Sequence, residues 1–274
     1  MKLSFSTLGC PAWPLAKVVD TAASLGYDGI ELRFLEGDDG LWRRPELSGT
    51  GLGETRSRLA GAGLAVACVD SRSFLHHVDP AARRAAVEDA VHMAELAAAL
   101  GAPGIRIFGD RVQPGADLES TRGWIVEGLA ALRDAARPLG VEVWLETHGD
   151  FATGSAARSV LDSVGDGVGA IWDPANAYSE FGEEPETGAA ALERAIRHVH
   201  LKDVKRPKPP APPLPWSPTL MGEGEFPASR VLSILAARGY DRFVSFEWEK
   251  RWHPEIQEPE VALPHFLRWA RSPR

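Results

Sequence analysis

Four side chains able to hold a hard divalent cation recur at matching places along this sequence: Glu146 in VWLETHG, Asp173 in IWDPAN, His200 in HVHLKD and Glu247 in VSFEWE. Each follows a short β-branched or apolar run that ends in polar residues, so each falls at the C-terminal end of a strand. Glu146 to Asp173 and Asp173 to His200 are equal intervals, one strand–helix unit each, and the interval to Glu247 is lengthened by a proline-rich insertion. Three carboxylates and one imidazole form a mostly oxygen donor set. It suits one Mn²⁺, Mg²⁺, Co²⁺ or Zn²⁺ ion with positions left for substrate oxygens. A single strand-end glutamate is as readily a solvated rim charge or half of an ion pair. Four at one level are what a metal site requires.

The elements that must position them follow a repeated phrase: an alanine-rich helical segment, a glycine, then a short strand. Pro14 opens the first helix, Leu15, Val18, Val19, Ala22 and Leu25 follow at helical spacing, and Gly26 closes it before GIELR (29–33). The phrase returns as GLAVACVD (63–70), then as helix 80–100, capped by Asp79 and begun by Pro80, with GIRIFGD (104–110). It continues as helix 119–137 with VEVWLETHG (141–149), helix 155–163 with VGAIWDPAN (168–176), and helix 187–196 with HVHLKD (198–203). Helix 228–238 leads into RFVSFEWEK (242–250), KLSFSTLG (2–9) is the first strand, and 261–271 supplies the last helix. Eight strands alternating with helices predict a parallel sheet with right-handed crossovers, and at 274 residues a closed (β/α)₈ TIM barrel forming one domain over 1–274. No GxGxxG follows the first strand, which speaks against a dinucleotide fold. The segment 204–227, VKRPKPPAPPLPWSPTLMGEGEFP, is too proline-rich for a helix or central strand. It follows a strand end, so it is expected to be an ordered active-site flap with Trp216, Leu220, Met221 and Phe226 to bury, rather than a linker.

Composition narrows the class. A formal charge of −8 with dispersed Arg and Lys points away from a nucleic-acid partner. The two cysteines, Cys10 and Cys68, make no CxxC pair and no disulfide framework. No stretch approaches a membrane span, and the apolar run before Cys10 is too short for a signal sequence, so a cytoplasmic protein is expected. Self-association is left open.

The series LETHG, WDPAN, HVHLKD, MGEGEF and VSFEWE resembles the sugar phosphate isomerase/epimerase family, whose fold is the xylose isomerase-like barrel. The likeness runs in order over nearly the whole chain. It implies that Glu146, Asp173, His200 and Glu247 are the metal ligands and that Glu146 and Glu247 flank a bound ketose as general acid and base. The implied reaction is isomerisation or epimerisation of a small sugar or polyol ketone through an enediolate stabilised by the metal. Within HVHLKD the family's ligand is the second histidine; His198 turns inward one layer deeper, as a satisfied core histidine. Glu249 shares the parity of Glu247 but lies further out, as a rim charge. The resemblance also places Glu223 of MGEGEF near the site.

Further candidates for substrate contacts carry bland alternatives. His148 suits a substrate hydroxyl or a contact behind the ligands, or is simply exposed. Lys202 is read as a substrate contact, the alternative being a pair with Asp203. Arg106 and Glu31 could meet a polar substrate group or pair with each other inside the barrel mouth. Trp13 could stack on a sugar face, whereas most tryptophans, Trp172 included, are packing residues.

Three rivals share the fold. A dehydratase on a cyclic polyol ketone such as an inosose, or on a related keto acid, would use the same proton abstraction and expel a β-hydroxyl. The endonuclease IV branch, with three zinc ions, needs further histidines; GIRIFGD has none, position 176 is Asn176, and His76 and His77 lie too far past Asp70. A non-catalytic metal-dependent sensor would not need both glutamates.

Overall fold

The computed structural model describes residues 1–206 and 216–272. Eight parallel strands close into a barrel: β1 (Lys2–Ser6), β2 (Gly29–Leu32), β3 (Ala65–Phe74), β4 (Gly104–Phe108), β5 (Glu142–Glu146), β6 (Val168–Trp172), β7 (Ile196–Leu201) and β10 (Phe243–Phe246). Around the wall they run β1, β10, β7, β6, β5, β4, β3, β2, so the expected (β/α)₈ architecture is present. The short strands β8 (Asp203–Lys205) and β9 (Ser217–Thr219) pair antiparallel outside it.

Helices α1 (Leu15–Leu25), α2 (Gly49–Gly61), α3 (Pro80–Leu100), α4 (Leu118–Ala136), α5 (Gly154–Val164), α6 (Pro174–Phe181), α7 (Pro185–Leu192), α8 (Ala228–Ala237) and α9 (Pro259–Arg271) occupy the crossovers. The capping chemistry read from the sequence operates locally: Asp79 accepts the Ala81 N–H at 2.8 Å, and Gly26 takes the left-handed conformation that ends α1. Most of these helices lay an apolar stripe on the barrel wall, such as Val18, Val19 and Ala22 of α1 and Ile125, Leu129 and Leu132 of α4. Inside the barrel, below the polar mouth, Cys68, Trp144 and Ile171 form a separate apolar cluster.

The differences from sequence expectation are local. α7 starts at Pro185 and stops at Leu192, because the chain turns through 193–195 into a β7 that begins two residues earlier than expected. α6 is an additional helix, capped by Asp173 and begun by Pro174. β3 continues to Phe74, where Ser71 Oγ donates to the Arg106 carbonyl at 2.6 Å.

The described ends of the 204–227 segment are ordered. Leu220, Met221 and Phe226 are buried, Trp216 is half-buried, Tyr178 meets the rings of Trp216 and Phe226 edge-on, and His265 of α9 donates to the Met221 carbonyl at 2.9 Å. Residues 207–215 of the expected flap lie outside the described residues. Among the described residues no helix is long and apolar enough to cross a membrane.

Candidate metal centre

Asp173 shows how local folding rules aim a donor. As the N-cap of α6 its Oδ1 accepts the N–H groups of Ala175 (3.0 Å) and Asn176 (3.3 Å), while its own N–H donates to Thr147 Oγ1 at 2.7 Å. The carboxylate is thereby fixed with Oδ2 pointing into the barrel. Glu146 ends β5, His200 stands inside β7, and Glu247 follows β10; with β6 these strands are consecutive in the wall. The four residues can each offer one ligand atom so that all four atoms lie within 4.8 Å of one another, and all four residues are buried. His200 Nδ1 is 3.4 Å from Glu146 Oε1 and 3.3 Å from Glu247 Oε1.

The donor set fits a cation. Glu146 Oε2, Asp173 Oδ2 and both His200 nitrogens are buried and make no hydrogen bond among the described residues, although buried polar groups are nearly always satisfied. Burial works against charge on His200, but Glu31, Glu247 and Glu146 outweigh it and hold the imidazole well above its usual range. A site that holds a proton this strongly favours positive charge, and a metal ion competes for the same Nδ1 lone pair. Burial pushes Asp173 up to about 7, opposed by Lys202 and reinforced by Glu247 and Glu146. A cation among these groups would remove that penalty.

Two buried cations frame the donors. Arg106 Nη1 lies 3.2 Å from Glu146, 3.5 Å from Asp70 and 3.8 Å from Glu247. Lys202 Nζ lies 2.8 Å from Asp173, 2.7 Å from Glu247 and 2.6 Å from Glu249. Neither makes the pairing weighed in the sequence. Lys202 turns away from Asp203, whose carboxylate instead accepts the N–H groups of Val204, Gly222 and Gly224. A side chain at position 224 would begin 1.9 Å from Asp203 Oδ1, so only glycine permits this anchoring of the loop. Arg106 pairs with Asp70, while Glu31 bonds His198 Nε2 at 2.5 Å and approaches His200 Nε2 at 3.2 Å.

A cavity of about 340 Å³ opens over the donors. Arg106, His148, Lys202, Glu146 and Glu247 line it. His148 sits on its wall, bonded through Nδ1 to Asp110 at 2.9 Å and edge-on to Phe108. Two residues expected near substrate are elsewhere. Trp13 is buried in the helix–barrel core with Lys17 Nζ 4.0 Å above its ring, because the turn that carries it packs down on α1. Glu223 is exposed, in a turn that packs on α9 with only its neighbouring glycines reaching Asp203. No described residue of 204–227 lines the cavity.

The sequence reading missed Asp70, Asp110 and Arg33. Asp70 and Asp110 end strand runs that were identified as strands, so the signal was there. Asp70 is fully buried, and burial raises its carboxyl well above the usual range despite Arg106. Asp110 adopts φ 57°, a conformation tolerated by aspartate more readily than by most residues.

A sequence model of the xylose isomerase-like TIM barrel matches residues 19–272, and the chain belongs to that family. No curated protein sequence matches. Among solved structures, 3-keto-D-glucoside 4-epimerase from E. coli superposes with a TM-score of 0.78 at 18% identity over 99% of both chains. The IolI protein with a bound zinc atom gives 0.82 at 21% identity over 98% of this chain and 97% of its own. The probable 3-DHS dehydratase AsbF from Bacillus anthracis gives 0.76 at 19% identity over 99% of this chain and all of its own. At such identities the likeness speaks for the fold.

Proposed function

We propose that this member of the xylose isomerase-like barrel family is a divalent-metal-dependent isomerase or epimerase of a small sugar or polyol ketone. The observation that carries the reading is the set of four buried donors from four consecutive strands, one atom each within 4.8 Å of the others, several of them without a hydrogen bond among the described residues. A divalent cation held there would polarise a carbonyl and its neighbouring hydroxyl and acidify the C–H between them.

The protein's own groups do the rest. Glu146 and Glu247 stand on strands separated by β6 and β7 and flank the bound ketone, one, ionised, taking the proton and the other, entering the step protonated, supplying one. Carboxylates on opposite faces of the carbon give inversion, and one carboxylate acting twice gives aldose–ketose isomerisation. Arg106, Lys202 and His200 favour the proton-accepting form of each, so either can serve as the base: burial raises Glu146 and Glu247, but Arg106 and His200 around the first, and Lys202 and His200 around the second, bring both below the usual carboxylate range. His148, Lys202 and Arg106 line the cavity where substrate hydroxyls would lie, against an apolar wall of Leu8, Phe74, Phe108 and Trp252. A cavity at the small end of the ligand-site range suits a monosaccharide-sized molecule. One domain over 1–274, an active-site loop at 204–227 anchored by Asp203, and a cytoplasmic location belong to the same reading.

The alternative is a hydro-lyase on a cyclic polyol ketone or keto acid, which the likeness to a 3-DHS dehydratase supports as the epimerase likeness supports the first. Incubating the Mn²⁺-loaded protein with ketoses and inososes in D₂O decides between them. An isomerase or epimerase exchanges the α-hydrogen for deuterium and conserves mass otherwise, whereas a hydro-lyase releases water and forms a conjugated carbonyl. Glu146→Gln and Glu247→Gln should each lower turnover by about 10²–10⁴-fold. Full activity and metal content in both variants would overturn the proton-transfer roles.

A further inference from the structure

The cavity carries three buried cationic side chains, and they are not equally neutralised. Arg106 and Lys202 each meet three carboxylates within 4 Å. Arg33, just past β2 and only 5% exposed, has one carboxylate within 4 Å among the described residues, Asp39 at 3.4 Å, while the buried Asp70, already paired with Arg106, attracts it from further off. Asp39 is itself shared with Arg72 at 3.2 Å. A buried guanidinium whose carboxylate partners are each shared with another arginine is an unfavourable arrangement unless something else completes it.

Its placement is firm. The Arg33 and Phe34 N–H groups both donate to Thr7 Oγ1, at 2.8 and 3.0 Å, and the guanidinium carbon lies 4.4 Å from the Phe34 ring centre. The side chain reaches the same cavity as Glu146 and Glu247, where Arg106 also faces it. Burial and the Arg106 charge, only partly offset by Asp70 and Asp39, push Arg33 down to about 10, so it stays protonated near neutral pH.

Resting on the metal-dependent reading above, we propose that Arg33 binds a carboxylate of the substrate, so that the enzyme acts on a sugar acid or cyclic keto acid rather than a neutral sugar. A planar carboxylate matches the two-pronged donor edge of one guanidinium. A phosphate dianion would call for a second free cation. Among the described cavity residues the other two arginine and lysine heads are already surrounded by carboxylates, and Asp110 and Glu249 on the rim add further negative charge. The substrate's metal-facing end and its acidic end would thus be held at two separate points, which fixes which carbon lies between Glu146 and Glu247.

Calorimetric titration of the Mn²⁺-loaded full chain with D-fructuronate, D-fructose and D-fructose 6-phosphate tests this. Mn²⁺ binding is measured first and separately, so that failure of the metal site is seen as such: a chain that binds no Mn²⁺ refutes the underlying reading. In the wild type, D-fructuronate should bind at least about tenfold more tightly than D-fructose and more tightly than D-fructose 6-phosphate. Arg33→Met should erase the preference for D-fructuronate while leaving Mn²⁺ and D-fructose binding in place. Asp39→Asn, which removes the competing carboxylate from a partly exposed position, should strengthen D-fructuronate binding without touching the cavity. The proposal is overturned if D-fructose or D-fructose 6-phosphate binds as tightly as D-fructuronate in the wild type. It is equally overturned if none of the three binds a chain that holds Mn²⁺, or if Asp39→Asn leaves the ranking and the affinities unchanged.

Discussion

His198 and His200 stand two residues apart on β7 and face the same interior, yet the layers they occupy are opposites. The lower layer is the more closely paired, although Glu31 Oε1 makes no hydrogen bond among the described residues and Glu31, His198 and His200 also come near enough together to hold an ion. His198 Nε2 bonds Glu31 at 2.5 Å, and its ring lies nearly parallel to Trp144 over the apolar cluster of Cys68 and Ile171. The upper layer is open in a chemical sense: both nitrogens of His200 lack hydrogen-bond partners among the described residues, as do oxygens of Glu146 and Asp173. Identical residue type, strand and parity therefore do not make a ligand. The surrounding donors decide, and an unsatisfied cluster that is buried at a strand end marks where a cation belongs.

Substitutions can break this contrast in order of effect. Asp173→Ala strikes the open layer hardest, removing a donor and the cap of α6 together, and should weaken Mn²⁺ binding by more than about 100-fold in equilibrium dialysis. Glu31→Gln acts at the seam between the layers. It leaves His198 a neutral partner but takes away the carboxylate behind His200, so Mn²⁺ affinity should fall by about tenfold and stability by roughly 1–3 kcal/mol in denaturant unfolding. Glu223→Gln, outside both layers and exposed, should change stability by less than about 0.5 kcal/mol and leave Mn²⁺ binding as it was. A large loss at Glu223 would mean that the mouth extends over the 204–227 loop.

What the sequence disclosed follows the same division. Strand ends pointed to Glu146, Asp173, His200 and Glu247 as one level of donors; parity turned both His198 and His200 inward, and the family resemblance chose the second as the ligand and left His198 one layer down. Barrel order followed from the alternation of strands and helices. α2 was hard to see because GTGLGETRSRLAG is poor in helix formers and buries little beyond Thr55 and Leu59. Its Gly51 is there because a side chain would start 2.2 Å from the Pro45 carbonyl, a contact with no sequence signature. Partner choice was equally hidden. Lys202 has Asp203 beside it in sequence but Glu247 and Glu249 beside it in space, and Arg33 reads as an ordinary strand-end charge until its burial is known. Trp13 was misplaced for the reverse reason: a tryptophan near a strand end can face the mouth or the helices, and only packing selects.

The central claim is that the upper layer, and not the lower, holds one divalent ion. Its most direct test is a parallel Mn²⁺ titration of the wild type, His198→Asn and His200→Asn, with stoichiometry read by calorimetry and elemental analysis. The account predicts one ion per chain in the wild type, one ion per chain in His198→Asn despite its lower stability, and binding weakened by more than about 100-fold in His200→Asn. No ion in the wild type, three ions per chain, or equal losses in the two histidine variants would contradict it.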